Sequence, residues 1–170
     1  MPYFRQFLHD ETGCISYVIG CPTKGVCAVV DPQLDTEQYL KITEGSGFRI
    51  TDIFETHVQA DHISGNRRLA EKTGATIHFH READVQFEFN PLTDGEIVKV
   101  GNQKVKVTHT PGHTPESVSL QFNRYVMTGD TLFAGDVGRL DLAGAGTAQQ
   151  LYESLFNKLL KLPDYLLVSP

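Results

Sequence analysis

The sequence predicts a layered α/β domain built on mixed sheets, and three observations predict it. Short β-rich runs are separated by turn-like stretches such as "HDETG" and "CPTKG". The segments follow in the order strands, helix, strand, helix, strands, helix. The residues that could ligate a metal fall just after strands, where a rigid sheet can position loop side chains. The chain has 170 residues, 40% of them hydrophobic, which is enough for one domain with a sizeable core.

The elements follow in order. "YFRQF", "CISYVIG" and "VCAVVDP" read as strands. "DTEQYLKITEGSG" reads as a helix with Asp35 as its N-cap and Gly45 and Gly47 closing it. Residues 48–56, "FRITDIFET", read as a strand. "SGNRRLAEKTG" reads as a helix ended by Gly74, and "ATIHFH" as a short strand. The alternation on either side of Gly101-Asn102 predicts a hairpin, and "SVSLQF-NR-YVMTGD" predicts another. "GTAQQLYESLFNKLLKLP" is the clearest helix. Thr147 and Gln150 have capping-box spacing, and Pro163 stops it. Leu151, Leu155, Leu159 and Leu162, widened by Phe156 and Leu160, predict a stripe buried in the core. "DYLLVSP" begins a last strand.

The formal charge of −6 argues against nucleic acid and anionic membranes as partners. No apolar run of about 18 residues predicts a membrane span. The start "MPYFRQFLHD" lacks the pattern of a signal peptide, so a cytoplasmic protein is expected. Cys14, Cys21 and Cys27 form no CxxC and read as small buried hydrophobes.

The chemistry concentrates in residues 55–62, "ETHVQADH", followed later by "PGH" and "TGD". If strands of one sheet bring these loops together, His57, His113 and Asp130 make a set of two imidazoles and one carboxylate with open positions. That set suits non-haem Fe(II), and it equally suits a catalytic Zn²⁺ with an open water position. Spacing does not choose between them. His78 and His80 alternate on one strand face and read as surface or edge polar residues. His109, four residues before His113, reads at most as a supporting group.

"THVQADHISG", "HTPGHTPES" and "TGDTLFAGDVGRLDL" resemble the metallo-β-lactamase superfamily, and within it the glyoxalase-II-like branch that contains the persulfide dioxygenases. The resemblance runs from about Phe4 to Pro170 and implies an αββα sandwich with metal in a cleft at one edge of the sheets. The family's HxHxDH motif stands here with Gln59 in place of its second histidine. In the hydrolytic members that histidine holds the first zinc, Asp61 and His62 serve the second, and Asp130 bridges them. In the persulfide dioxygenases a single Fe(II) is implied, held by the residues matching His57, His113 and Asp130. Gln59, Asp61 and His62 then become supporting groups around the ligands. Arg139 and Asp141 match the family's Gly-Arg-x-Asp stretch, read either as support for the metal site and substrate entrance or as a loop salt bridge. The family continues past "LLVSP" with another histidine and a last helix. Residues 1–170 are therefore expected to be one such domain, apparently truncated at its C-terminal end.

The function this implies is oxidation of glutathione persulfide, or a related low-molecular-weight persulfide, by O₂ to sulfite and thiol. The alternatives are a zinc-dependent thioester hydrolase of glyoxalase II type and a metal-poor, non-catalytic fragment. The implied partners are the persulfide or thiol substrate, O₂ and a rhodanese domain or protein, with a homo-oligomer left open.

Overall fold

The computed structural model describes residues 1–10, 12–58 and 63–170. Strands β1 (Tyr3–Leu8), β2 (Ile15–Cys21) and β3 (Val26–Val30) open the chain. Helix α1 (Glu37–Ser46), strand β4 (Arg49–Phe54), helix α2 (Asn66–Thr73) and strands β5 (Thr76–His80) and β6 (Asn90–Leu92) follow. These six strands form one sheet in chain order, antiparallel from β1 to β3 and parallel from β3 to β6. Strands β7 (Ile97–Val100), β8 (Gln103–His109), β9 (Val118–Phe122), β10 (Tyr125–Met127) and β11 (Leu167–Ser169) form a second sheet, ordered β11-β10-β9-β8-β7. Its pairs are antiparallel except β10 with β11, which run parallel. Helix α3 (Ala148–Tyr152) continues through wide π-helical turns to Lys158 and a tight 3₁₀ turn to Lys161.

Alternating side chains explain the layering. In β2 and β3, Tyr17, Ile19, Ala28 and Val30 face inward and meet Val105, Val107, Leu120 and Phe122 of the other sheet. Val18 and Val29 point the other way, to Tyr39 and Ile42 of α1 and Leu69 of α2. Val126 of β10 packs against Leu151, Leu155 and Leu159. The result is helices, sheet, sheet, helix: the αββα sandwich of the metallo-β-lactamase fold, with two mixed sheets.

Most predicted elements are found. Both hairpins turn where expected, Val100 pairing with Gln103 around Gly101-Asn102 and Phe122 with Tyr125 around Asn123-Arg124. Gly47 and Gly74 close α1 and α2 in the left-handed conformation. Thr147 and Gln150 form the full capping box. Three details differ. Asp35 accepts from the Glu37 N–H at 3.1 Å but lies one residue before the α1 N-cap, Thr36. Phe156 and Leu160 are exposed (49% and 60%) and do not widen the core stripe. The wide turns after Tyr152 change the angular spacing, so only Leu151, Leu155 and Leu159 stay buried. His78 and His80 are buried and are not surface residues. All three cysteines are free, Cys21 and Cys27 buried and Cys14 half-buried.

Candidate metal centre

The site forms where the two sheets end side by side. His57 follows β4 in the first sheet, whereas His113 and Asp130 follow β8 and β10 in the second. The His57 Nε2 lies 3.8 Å and the His113 Nε2 3.5 Å from the Asp130 Oδ2. The two imidazoles stand edge to face, 5.1 Å between centroids. Both are buried, and the Asp130 side chain is 37% exposed toward solvent.

Two close approaches allow this. Gly129 has φ of +48°, and a Cβ there would come 2.3 Å from the Thr56 Oγ1. A Cβ on Gly138 would come 1.8 Å from the Asp130 carbonyl oxygen. Any side chain at either position would push Asp130 away from the histidines.

Hydrogen bonds then fix the imidazoles. Asp31, after β3, accepts from the Thr56 N–H at 2.8 Å and from the Thr56 hydroxyl at 2.9 Å. The Thr56 oxygen is left to accept from the His57 Nδ1–H at 2.9 Å. The His113 Nδ1–H donates to the Arg139 carbonyl at 3.0 Å, because a carbonyl only accepts. Both Nε2 lone pairs therefore face Asp130. A donor pinned through its other ring nitrogen is how ligating histidines are usually held.

A buried carboxyl pair lies behind this relay. Burial pushes the Asp31 carboxyl up to about 6, against the pull of the two Thr56 donors. Burial, and then Asp31, hold Glu55 well above the ordinary carboxylate range. The Glu55 Oε1 accepts from Ser64 and from the Asn66 amide at 2.8 Å, while Oε2 has no hydrogen-bond donor among the described residues. Burial and their mutual repulsion thus hold both carboxyls up, and Asp31 is the one that accepts from Thr56. Glu116, also buried, accepts from the Val58 N–H at 2.9 Å and anchors the chain just beyond His57.

The donor set fits a metal ion. Two bonds of about 2.1 Å diverging by about 110° would put donor atoms about 3.4 Å apart. The observed separations from Asp130 are close to that, and all three donor atoms lie within 4.8 Å of one another. The set alone does not choose the metal.

The sequence-predicted residues divide three ways. His57, His113 and Asp130 come together. Gln59, Asp61 and His62 lie outside the described residues. Arg139 and Asp141 form an exposed bidentate pair, with contacts of 2.6 and 2.8 Å. Arg139 touches the site through its backbone carbonyl, not its guanidinium. Sequence reasoning missed Asp31, Thr56, Glu55 and Glu116. The Asp-Pro pair ending β3 was the one visible signal.

This chain belongs to the metallo-beta-lactamase superfamily, whose family model matches residues 9–169. Its similarities place it on the glyoxalase-II-like side. It is 35% identical to a hydroxyacylglutathione hydrolase of Rhodospirillum rubrum over 159 residues, 89% of this chain and 59% of that relative. It is 35% identical to ETHE1 from Myxococcus xanthus, with a TM-score of 0.93 over 99% of this chain and 74% of that one. It is 26% identical to TTHA1623 in a di-iron-bound form, with a TM-score of 0.82 over 98% of this chain and 90% of that one. The chain spans 57–64% of the length of the curated relatives it matches. No helix among the described residues is long and apolar enough to cross a membrane.

Proposed function

We propose that this chain carries the centre of a mononuclear Fe(II) persulfide dioxygenase acting on glutathione persulfide or a similar small persulfide. The observation that supports it is a three-donor set, His57, His113 and Asp130, in which each imidazole is already pinned by its own acceptor. That set needs no donor from position 59, where the sequence has glutamine. A dizinc hydrolase of the usual motif loses an imidazole there, and a neutral amide oxygen is a poor replacement.

Fe(II) would supply open coordination positions and redox chemistry for the persulfide sulfur and O₂. The chain's own residues do the rest. Thr56 and the Arg139 carbonyl hold the two imidazoles in one tautomer. Two hollows flank the site. Val58, Ile63, Phe79, Val85 and Phe87 give one an apolar wall beside His57. Glu82, Asp84, Thr114 and Leu142 line the other, beside His113. Each borders a ligating histidine, and the thiol carrier would bind in one of them. In balance, one persulfide, one O₂ and one water give one thiol, one sulfite and two protons.

The second reading is zinc-dependent thioester hydrolysis, favoured by the identity to hydroxyacylglutathione hydrolases. Metal analysis of anaerobically prepared protein, with O₂ uptake on glutathione persulfide and hydrolysis of S-lactoylglutathione, separates the two. Iron near one per chain with sulfite production supports the dioxygenase. Zinc-dependent hydrolysis without O₂ uptake overturns it, and neither activity in a metal-loaded protein overturns both.

A further inference from the structure

A second group of metal-ligating side chains lies apart from the first. His80 ends β5, Glu82 is in the turn after it, and His109 ends β8. One donor atom from each lies within 4.8 Å of the others. The His80 and His109 rings stack face to face, 4.0 Å between centroids and 10° from parallel. His80 is only 4% exposed. Burial, and then His109, hold its imidazole below the ordinary histidine range, which leaves it neutral.

The hydrogen bonds around the pair bear on ligation. The His109 Nε2–H donates to the Pro115 carbonyl at 2.8 Å, so the His109 Nδ1 carries the lone pair. His113 is likewise held by one ring nitrogen on a backbone carbonyl, there through Nδ1. Among the described residues, the His80 Nδ1 meets the Glu82 N–H alone, at a long 3.4 Å, which a bound ion would displace at little cost. Glu82 and Glu116 make the surroundings of His80 favourable to a cation, and Arg81 opposes them. The Lys158 ammonium is occupied by the His109 carbonyl.

We propose that His80, Glu82 and His109 form a second metal site, for a borderline divalent transition ion of the Zn²⁺ type. Two imidazoles and one carboxylate are a donor set for such ions and a poor one for Mg²⁺ or Ca²⁺. β5 and β8 belong to different sheets, so an ion here cross-links them beside the hollow that Glu82 shares with His113. Parallel rings aim their lone pairs side by side, so binding must tilt one ring and separate the stack.

The test uses the full chain carrying Asp130→Ala, which disables the first centre and any second ion bridged by Asp130. Zn²⁺ is titrated calorimetrically, and the imidazole resonances are followed by NMR. One tight equivalent that shifts His80 and His109 signals is expected. Adding Glu82→Gln should weaken it at least about tenfold, and His109→Ala should abolish it. Glu82 is exposed, so its variant keeps the proposal testable even where a histidine variant fails to fold. No binding by the folded Asp130→Ala protein overturns the site. So does binding that Glu82→Gln and His109→Ala leave unchanged.

Discussion

Thr56 gives its hydroxyl proton to Asp31 and receives one from His57, so its oxygen decides which way that imidazole points. Thr56→Val keeps the shape and removes the acceptor. Metal affinity should fall by about 10–100-fold, read from a competition titration with a chromophoric chelator. Gly129→Ala attacks the same contact from the other side, through a left-handed backbone and a Cβ 2.3 Å from Thr56. It should cost about 1–3 kcal/mol in denaturant unfolding and lower the metal content. The ligands themselves were legible in the sequence because histidine and aspartate clustered after strands carry their chemistry on their face. Thr56 and Asp31 were not, because a threonine and an aspartate acquire this role only once β3 and β4 lie side by side.

The helix after Thr147 shows what a periodic pattern can and cannot tell. Its start was readable, since a capping box is local chemistry. The leucine stripe was readable too, for Leu151, Leu155 and Leu159 are buried, but its width was not, since placing Phe156 and Leu160 assumes a constant turn that the π-helical stretch does not keep. Leu155→Ala should therefore cost about 2–5 kcal/mol in denaturant unfolding, and Phe156→Ala within about 1 kcal/mol. Strand β4 makes a related point. Ile50 and Ile53 are three apart, so strict alternation puts them on opposite faces, yet both pack toward the helices. A bulge opposite Cys27 and Ala28 absorbs the extra residue. Strand β6 was missed because Pro91 within three residues argues against a strand, and the edge of a sheet tolerates it.

Across the molecule, the buried pair Asp31–Glu55 ties stability to pH. Both carboxyls are held above the values of about 3.9 and 4.3 expected in the unfolded chain. The folded state therefore binds more protons once the unfolded carboxyls ionise. The stability this pair contributes is fully present below those values and is lost as pH rises through the folded ones. Glu55→Gln stays neutral at every pH. Between about pH 4.3, where Glu55 ionises in the unfolded chain, and its raised folded value, the wild-type unfolding free energy should fall more steeply than that of Glu55→Gln, by at most about 1.4 kcal/mol per pH unit for that proton. The layered class of the fold was readable because element order and alternation are written along the chain. The pair was not, since two acids 24 positions apart reveal nothing of their shared burial (31 to 55).

His57 hangs from one sheet, and His113 and Asp130 from the other. An ion held by all three ties the two halves of the sandwich to each other, so its binding free energy is added to whatever else resists their separation. Metal loading should therefore raise the denaturant midpoint and slow proteolytic cutting of the native protein, and Asp130→Ala should lose both effects.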